Sequence, residues 1–143
     1  MSRHVFAILA LIASCVACTA DSAAVRVTDG YVRGLPPGVA NTAAYMTLQN
    51  TSDKTISLVG GSTDVADHVS IHATVNTDGM MSMEHRMSLA IPAGGEVVLK
   101  TGGLHLMLMG LKAPLPERVA MTLAFSNGAS MEVMLPVISI LDE

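Results

Sequence analysis

The chain has 143 residues, half of them apolar, 3% aromatic and 14% charged, with a formal net charge of −4. An acidic balance without clustered Lys and Arg argues against nucleic acid, and the lack of Trp argues against stacking platforms for bases or sugars. Cysteine occurs only at Cys15 and Cys18, so a disulfide framework is excluded for everything after Asp21.

Residues 1–20 read as a secretory signal peptide. Arg3 and His4 precede an apolar run over 5–16, and small residues follow up to Ala20. The run is well short of the roughly 20 apolar residues that a bilayer-spanning helix needs. Ile12-Ala13-Ser14-Cys15 resembles a bacterial lipoprotein signal, in which Cys15 would carry lipid. Ordinary cleavage after Cys18-Thr19-Ala20 or Ser22-Ala23-Ala24 would suit the sequence as well. The expected location is therefore periplasmic, with or without a lipid anchor. Residues 21–143 then form one domain of net charge −5, since Arg3 is the sole charged residue before Asp21.

No segment of that domain has a long helical period. Short β-branched and apolar runs recur between Gly, Pro, Asn and Asp, which predicts strands. The expected strands are 25–33, 43–50, 55–60, 69–75, 80–91, 96–100, 104–111, 118–125 and 129–137. An Asp78-Gly79 turn joins two of them, and Ser126-Asn127-Gly128 joins the last pair. Eight or nine strands with short turns and no crossover helices predict an antiparallel two-sheet β-sandwich.

Methionine is the compositional anomaly, with four in the eight residues 80–87. Met is a common core filler, and Met46, Met121, Met131 and Met134 are expected in the core. Strand parity separates other cases, because alternate side chains point to opposite faces. In Leu104-His105-Leu106-Met107-Leu108-Met109 the leucines share one face, so His105, Met107 and Met109 share the other. In a one-sided sheet that second face should be polar or solvated. Val69, Ile71 and Ala73 likewise set His72 on the opposite side, with Ser70 and Thr74. Two imidazoles and several thioethers on such faces suit a soft metal ion.

His72, Met83, His105 and Met107 fall in the pattern His-x10-Met-x21-His-x-Met. With Ile91-Pro92-Ala93-Gly94-Gly95 and the run from Gly102 to Leu111, the chain resembles the periplasmic copper chaperones written PCu(A)C over about residues 25–137. The resemblance implies a cupredoxin-like Greek-key antiparallel β-sandwich holding Cu(I) through those four residues. It also implies a metallochaperone role toward the copper centres of cytochrome c oxidase, alongside its copper subunit or a thiol-dependent assembly factor. The His- and Met-rich tail of some members has no counterpart here, so one main site is expected. His85 shares strand parity with Met83 and is a conceivable further donor.

Rival functions differ in what they need. A blue-copper electron carrier needs a Cys thiolate beside two His, and residues 21–143 have no Cys. A periplasmic copper-buffering or resistance protein would use the same four ligands. A module gripping an apolar peptide with its Met cluster is a third reading. No nucleophile–base motif, phosphate loop or signature pair of carboxylates points to an enzyme.

Overall fold

The computed structural model describes residues 24–112 and 114–142. The expected signal peptide, with His4, Cys15 and Cys18, lies outside the described residues. The described chain contains ten strands and no helix: β1 Val25–Gly34, β2 Asn41–Asn50, β3 Ile56–Ser62, β4 Ala66–Thr77, β5 Met80–Arg86, β6 Leu89–Ile91, β7 Glu96–Leu99, β8 Leu104–Leu111, β9 Arg118–Phe125 and β10 Ser130–Ser139. The all-β class read from the periodicity holds.

The hydrogen-bonded order runs β5-β4-β8-β2-β1-β10-β9-β3-β6, with β7 on β2. A further pairing of Gly61 on β3 with Val69 on β4 joins the two flanks. The sheet therefore closes on itself around one core, and β5 and β6 hang from the ring as short appendages.

The core follows the alternation of the strands. Val32, Ala44, Leu48, Leu58, Ile91, Leu106, Leu108 and Leu123 are wholly buried. Each large apolar side chain so buried contributes about 1.5–3 kcal/mol. Among the described residues Asn50 is the one buried amide, and it is fully partnered. Its Nδ2 donates to the carbonyls of Lys54 (2.7 Å) and Ile91 (3.0 Å), and its Oδ1 accepts from Ser52 N and Oγ. This satisfies both ends of a group that would otherwise cost free energy inside the fold.

Three features depart from the sequence reading. The run 80–91 is two strands, not one. β5 lies beside β4 as far as the Ile71–Arg86 pair, and at Val69 that edge of β4 is already taken by β3. The chain must leave β4 there, and it resumes as β6 on β3. The pairing of β1 with β10 is parallel, with Val32 opposite Val137, in a sheet whose other pairings are antiparallel. Met134 is exposed, because Met131, Val133 and Leu135 occupy the inward parity of β10. Met46 and Met121 are buried as expected.

The β4–β5 hairpin fixes the geometry that follows. Its two loop residues, Asp78 (φ 53°) and Gly79 (φ 83°), both adopt left-handed backbone, as a tight type I′ turn requires. Asn76 Oδ1 accepts a hydrogen bond from Gly79 N at 2.9 Å. The turn sets Thr74 opposite Met83 and His72 opposite His85. A slip of one residue would send every donor of β5 to the other face.

Candidate metal centre

β4 lies between β5 and β8, so three adjacent strands supply the predicted donors. His72 is opposite His105 on β8 and opposite His85 on β5. Met107 is opposite Ser70, and Met83 is opposite Thr74. Directly paired residues share a face, and Ser70, His72 and Thr74 share one by alternation. His72, Met83, His85, His105 and Met107 therefore all stand on the same side of the sheet, away from Ile71, Leu106 and Leu108.

The imidazoles lie close together. The rings of His72 and His105 stack at 5.9 Å between centroids, and His72 meets His85 edge-on at 5.5 Å. Met83, His105 and Met107 line one cleft of about 250 Å³, with Tyr45, Thr74 and Arg33 among its other walls. His72 does not line that cleft and reaches it through the stack with His105. Met83 is exposed, Met107 is half-buried and His105 is only 4% exposed.

The burial of His105 corrects the expectation of a solvated face. Tyr45 of β2, itself buried, packs 6.3 Å from the His105 ring. The guanidinium of Arg33 sits 5.1 Å over the Tyr45 ring and donates to Thr101 Oγ1 at 2.9 Å. The inner end of the cleft is thus roofed, and its outer end, at Met83, is open.

The nitrogen atoms are sorted by their partners. His105 Nδ1 lies 3.1 Å from the Gly103 carbonyl, which can only accept. In the neutral ring Nδ1 therefore carries the proton, which leaves Nε2 a bare lone pair. His72 Nε2 shares a hydrogen bond with Ser70 Oγ at 2.9 Å, whereas its buried Nδ1 has no partner. With the proton on Nε2, donating to Ser70, Nδ1 is a second bare lone pair. Metal-ligating imidazoles commonly anchor their other nitrogen in this manner. The pKa of His72 is lowered from its ordinary 6.5, first by burial and then by the neighbouring charges of His105 and His85. Lowering favours the neutral form, the one that can bind a metal.

No carboxylate lines the cleft, so hard cations have no anionic oxygen to hold there. Thioether sulfur and neutral imidazole are the donors present, a set suited to a soft ion of low charge. Among the described residues no three His, Cys, Asp or Glu side chains are gathered tightly enough to hold a metal by themselves. A site here needs the sulfurs. His68 is exposed and lies opposite Met109, farther along the same face.

Sequence reasoning placed the candidate donors on one face but not the side chains that pack against them. Ser70 was visible as a neighbour of His72 by parity. Tyr45 and Arg33 arrive from β2 and β1 through long-range pairing, for which no local signal exists.

Comparison with known proteins bears on the family and the fold. A family described as "Putative lipoprotein LpqE-like" matches residues 25–137. The "Putative lipoprotein Lxx21020" of Leifsonia xyli subsp. xyli is 38% identical over 116 residues, which span 79% of this chain and 69% of that protein. The solution structure of the copper(I) form of DR1885 from Deinococcus radiodurans superposes with a TM-score of 0.65 at 40% identity, covering 81% of this chain and 80% of the other. The copper-bound PCuAC domain from PmoF2 superposes with a TM-score of 0.69, covering 81% and 93%, but at 19% identity it bears on the fold alone.

Proposed function

The chain belongs to the LpqE-like family of PCuAC-type domains, with their cupredoxin-like fold, and from that premise we propose that it is a periplasmic Cu(I) metallochaperone. His72, Met83, His105 and Met107 are its ligands. The observation that carries the reading is their common face on three adjacent strands, with the bare nitrogens of His72 and His105 beside a cleft lined by both sulfurs.

The chemistry suits transport. Four neutral donors leave the ion with its own single charge, and only the two imidazoles compete with protons. Thiolates would bind Cu(I) more tightly but would risk oxidation outside the cytoplasm. Met83 stands exposed on an edge strand, so an incoming acceptor thiolate can reach the ion from that side and take it by stepwise ligand exchange. The protein itself catalyses no reaction. The acceptors we propose are the copper subunit of cytochrome c oxidase or a thiol-dependent assembly factor, and residues 1–20 are the export signal. The lipoprotein name of the Leifsonia relative supports a place outside the cytoplasm, with Cys15 as the residue to carry lipid.

The test is anaerobic competition for Cu(I) against a chromophoric chelator. Met83→Leu with Met107→Leu keeps size and apolarity while removing sulfur. The double variant should lose at least about a hundredfold in Cu(I) affinity, more than loss of one supporting contact costs. Unchanged affinity would remove these sulfurs from the site. Transfer to an apo acceptor faster than free exchange separates delivery from buffering.

A further inference from the structure

Exposed sulfur is concentrated beside the proposed Cu(I) ligands. Of the five exposed methionines among the described residues, four (Met80, Met81, Met83 and Met87) lie on β5 or directly after it. Strand parity divides them. Met81 is opposite Asn76 on β4 and Met83 is opposite Thr74, so both stand on the donor face. Met80, Ser82, Glu84 and Arg86 stand on the other face, where Glu84 and Arg86 pair at 3.0 Å. Met81 is 62% exposed and, unlike Met83, does not line the cleft. It is therefore a soft donor next to the four ligands but not one of them.

We propose that Met81 is the entry and exit donor for Cu(I), forming with Met83 a transient two-thioether site at the open end of the cleft. The proposal rests on the reading of Met83 as a ligand of the bound ion. Residues two apart along a strand have Cα atoms about 6.8 Å apart. Two sulfurs on one ion, with metal–sulfur bonds of about 2.3 Å, lie up to about 4.6 Å apart. The flexible, unbranched methionine side chain closes that difference without moving the backbone. Thioether sulfur is soft and uncharged, so the pair selects Cu(I) over harder cations.

The place of β5 in the fold suits such a passage. It is the terminal strand of the sheet order, and all seven of its residues are exposed, so a copper carrier reaches it without displacing the core. Asn76, across from Met81, already spends its Oδ1 on Gly79 N at 2.9 Å. On loading, Cu(I) binds the sulfurs of Met81 and Met83 as the carrier's ligands leave. The imidazoles of His72 and His105 and the sulfur of Met107 then replace Met81. Unloading reverses these steps: Met81 rebinds as the inner donors let go, and an acceptor thiolate takes the ion. Copper remains Cu(I) throughout, and no electron is transferred. A donor that binds only in passage lowers the barrier equally in both directions and leaves the equilibrium where it was.

The test is anaerobic stopped-flow exchange of Cu(I) between the purified protein and a chromophoric chelator, followed in both directions beside the equilibrium competition assay. Met81→Leu should slow loading and unloading alike, each by about fivefold or more, while equilibrium Cu(I) affinity stays within about threefold. Met80→Leu, which removes the neighbouring and still more exposed sulfur from the other face, should leave both rates as in the wild type. Unchanged rates in Met81→Leu, or equal slowing in Met80→Leu, would overturn the passage role. So would a loss of equilibrium affinity of about tenfold or more in Met81→Leu, which would make Met81 a ligand of the bound ion. Failure of the underlying reading gives a different result: Cu(I) affinity unchanged in the Met83→Leu, Met107→Leu variant.

Discussion

The two sides of β8 are built from one eight-residue sequence and obey opposite rules. Leu106 and Leu108 point into the core and are wholly buried, fixed by packing from every direction. His105 and Met107, their immediate neighbours, point away from it, His105 buried against Tyr45 and His72 and Met107 half-buried. Alternation at period two lets a strand anchor the fold with one set of side chains and present a ligand set with the other. The difference teaches where function is cheap to alter: on the proposed reading, changes on the leucine side should cost stability, and changes on the imidazole and sulfur side should cost copper affinity.

The sharpest way to break that comparison is on the leucine side. Leu106→Ala leaves a cavity in the closed core and should destabilise the domain by about 2–5 kcal/mol, read as a lower midpoint of thermal or chemical denaturation. The fraction that remains folded should bind copper with the wild-type number of sulfur and nitrogen neighbours. A change in coordination at full folding would mean that the two faces are not separable.

A smaller effect is expected on the other side. Ser70→Ala removes the partner of His72 Nε2 and frees the ring to turn or change tautomer. Cu(I) affinity should drop by roughly 10–100-fold with little loss of stability. An unaltered affinity would show that Ser70 does not position the imidazole.

The smallest effect concerns protons. The pKa of His72 is held below 6.5 by burial, then by His105, then by His85. A histidine whose folded value lies below its unfolded value binds its proton more readily when unfolded. It therefore contributes stability that is present above pH 6.5 and is lost as the pH falls through 6.5 toward the lowered value. Nuclear magnetic resonance of the apo protein should find the His72 midpoint below 6.5, and His85→Ala should move it only slightly upward. A midpoint at or above 6.5 would contradict the burial of this ring.

Much of this was legible in the sequence, and the reasons are physical. β8 and β9 have the boundaries that alternation predicts, and the donor face follows from the leucines of β8 and from Ile71 and Ala73 of β4. Periodicity could not show that β5 and β6 are separate, because their division depends on β3 occupying the edge of β4 at Val69. Nor could it foresee the parallel closure of β1 on β10, or Tyr45 roofing His105. Each is a contact between segments remote in sequence, decided by how the sheet closes. The same limit explains Met134, whose exposure follows from the inward parity of Leu135.

X-ray absorption of the Cu(I)-loaded protein tests the central claim most directly, since it counts the atoms bound to the ion. The account predicts two sulfur and two nitrogen neighbours, with the sulfurs lost in the Met83→Leu, Met107→Leu variant. A first shell of nitrogen and oxygen alone would contradict it.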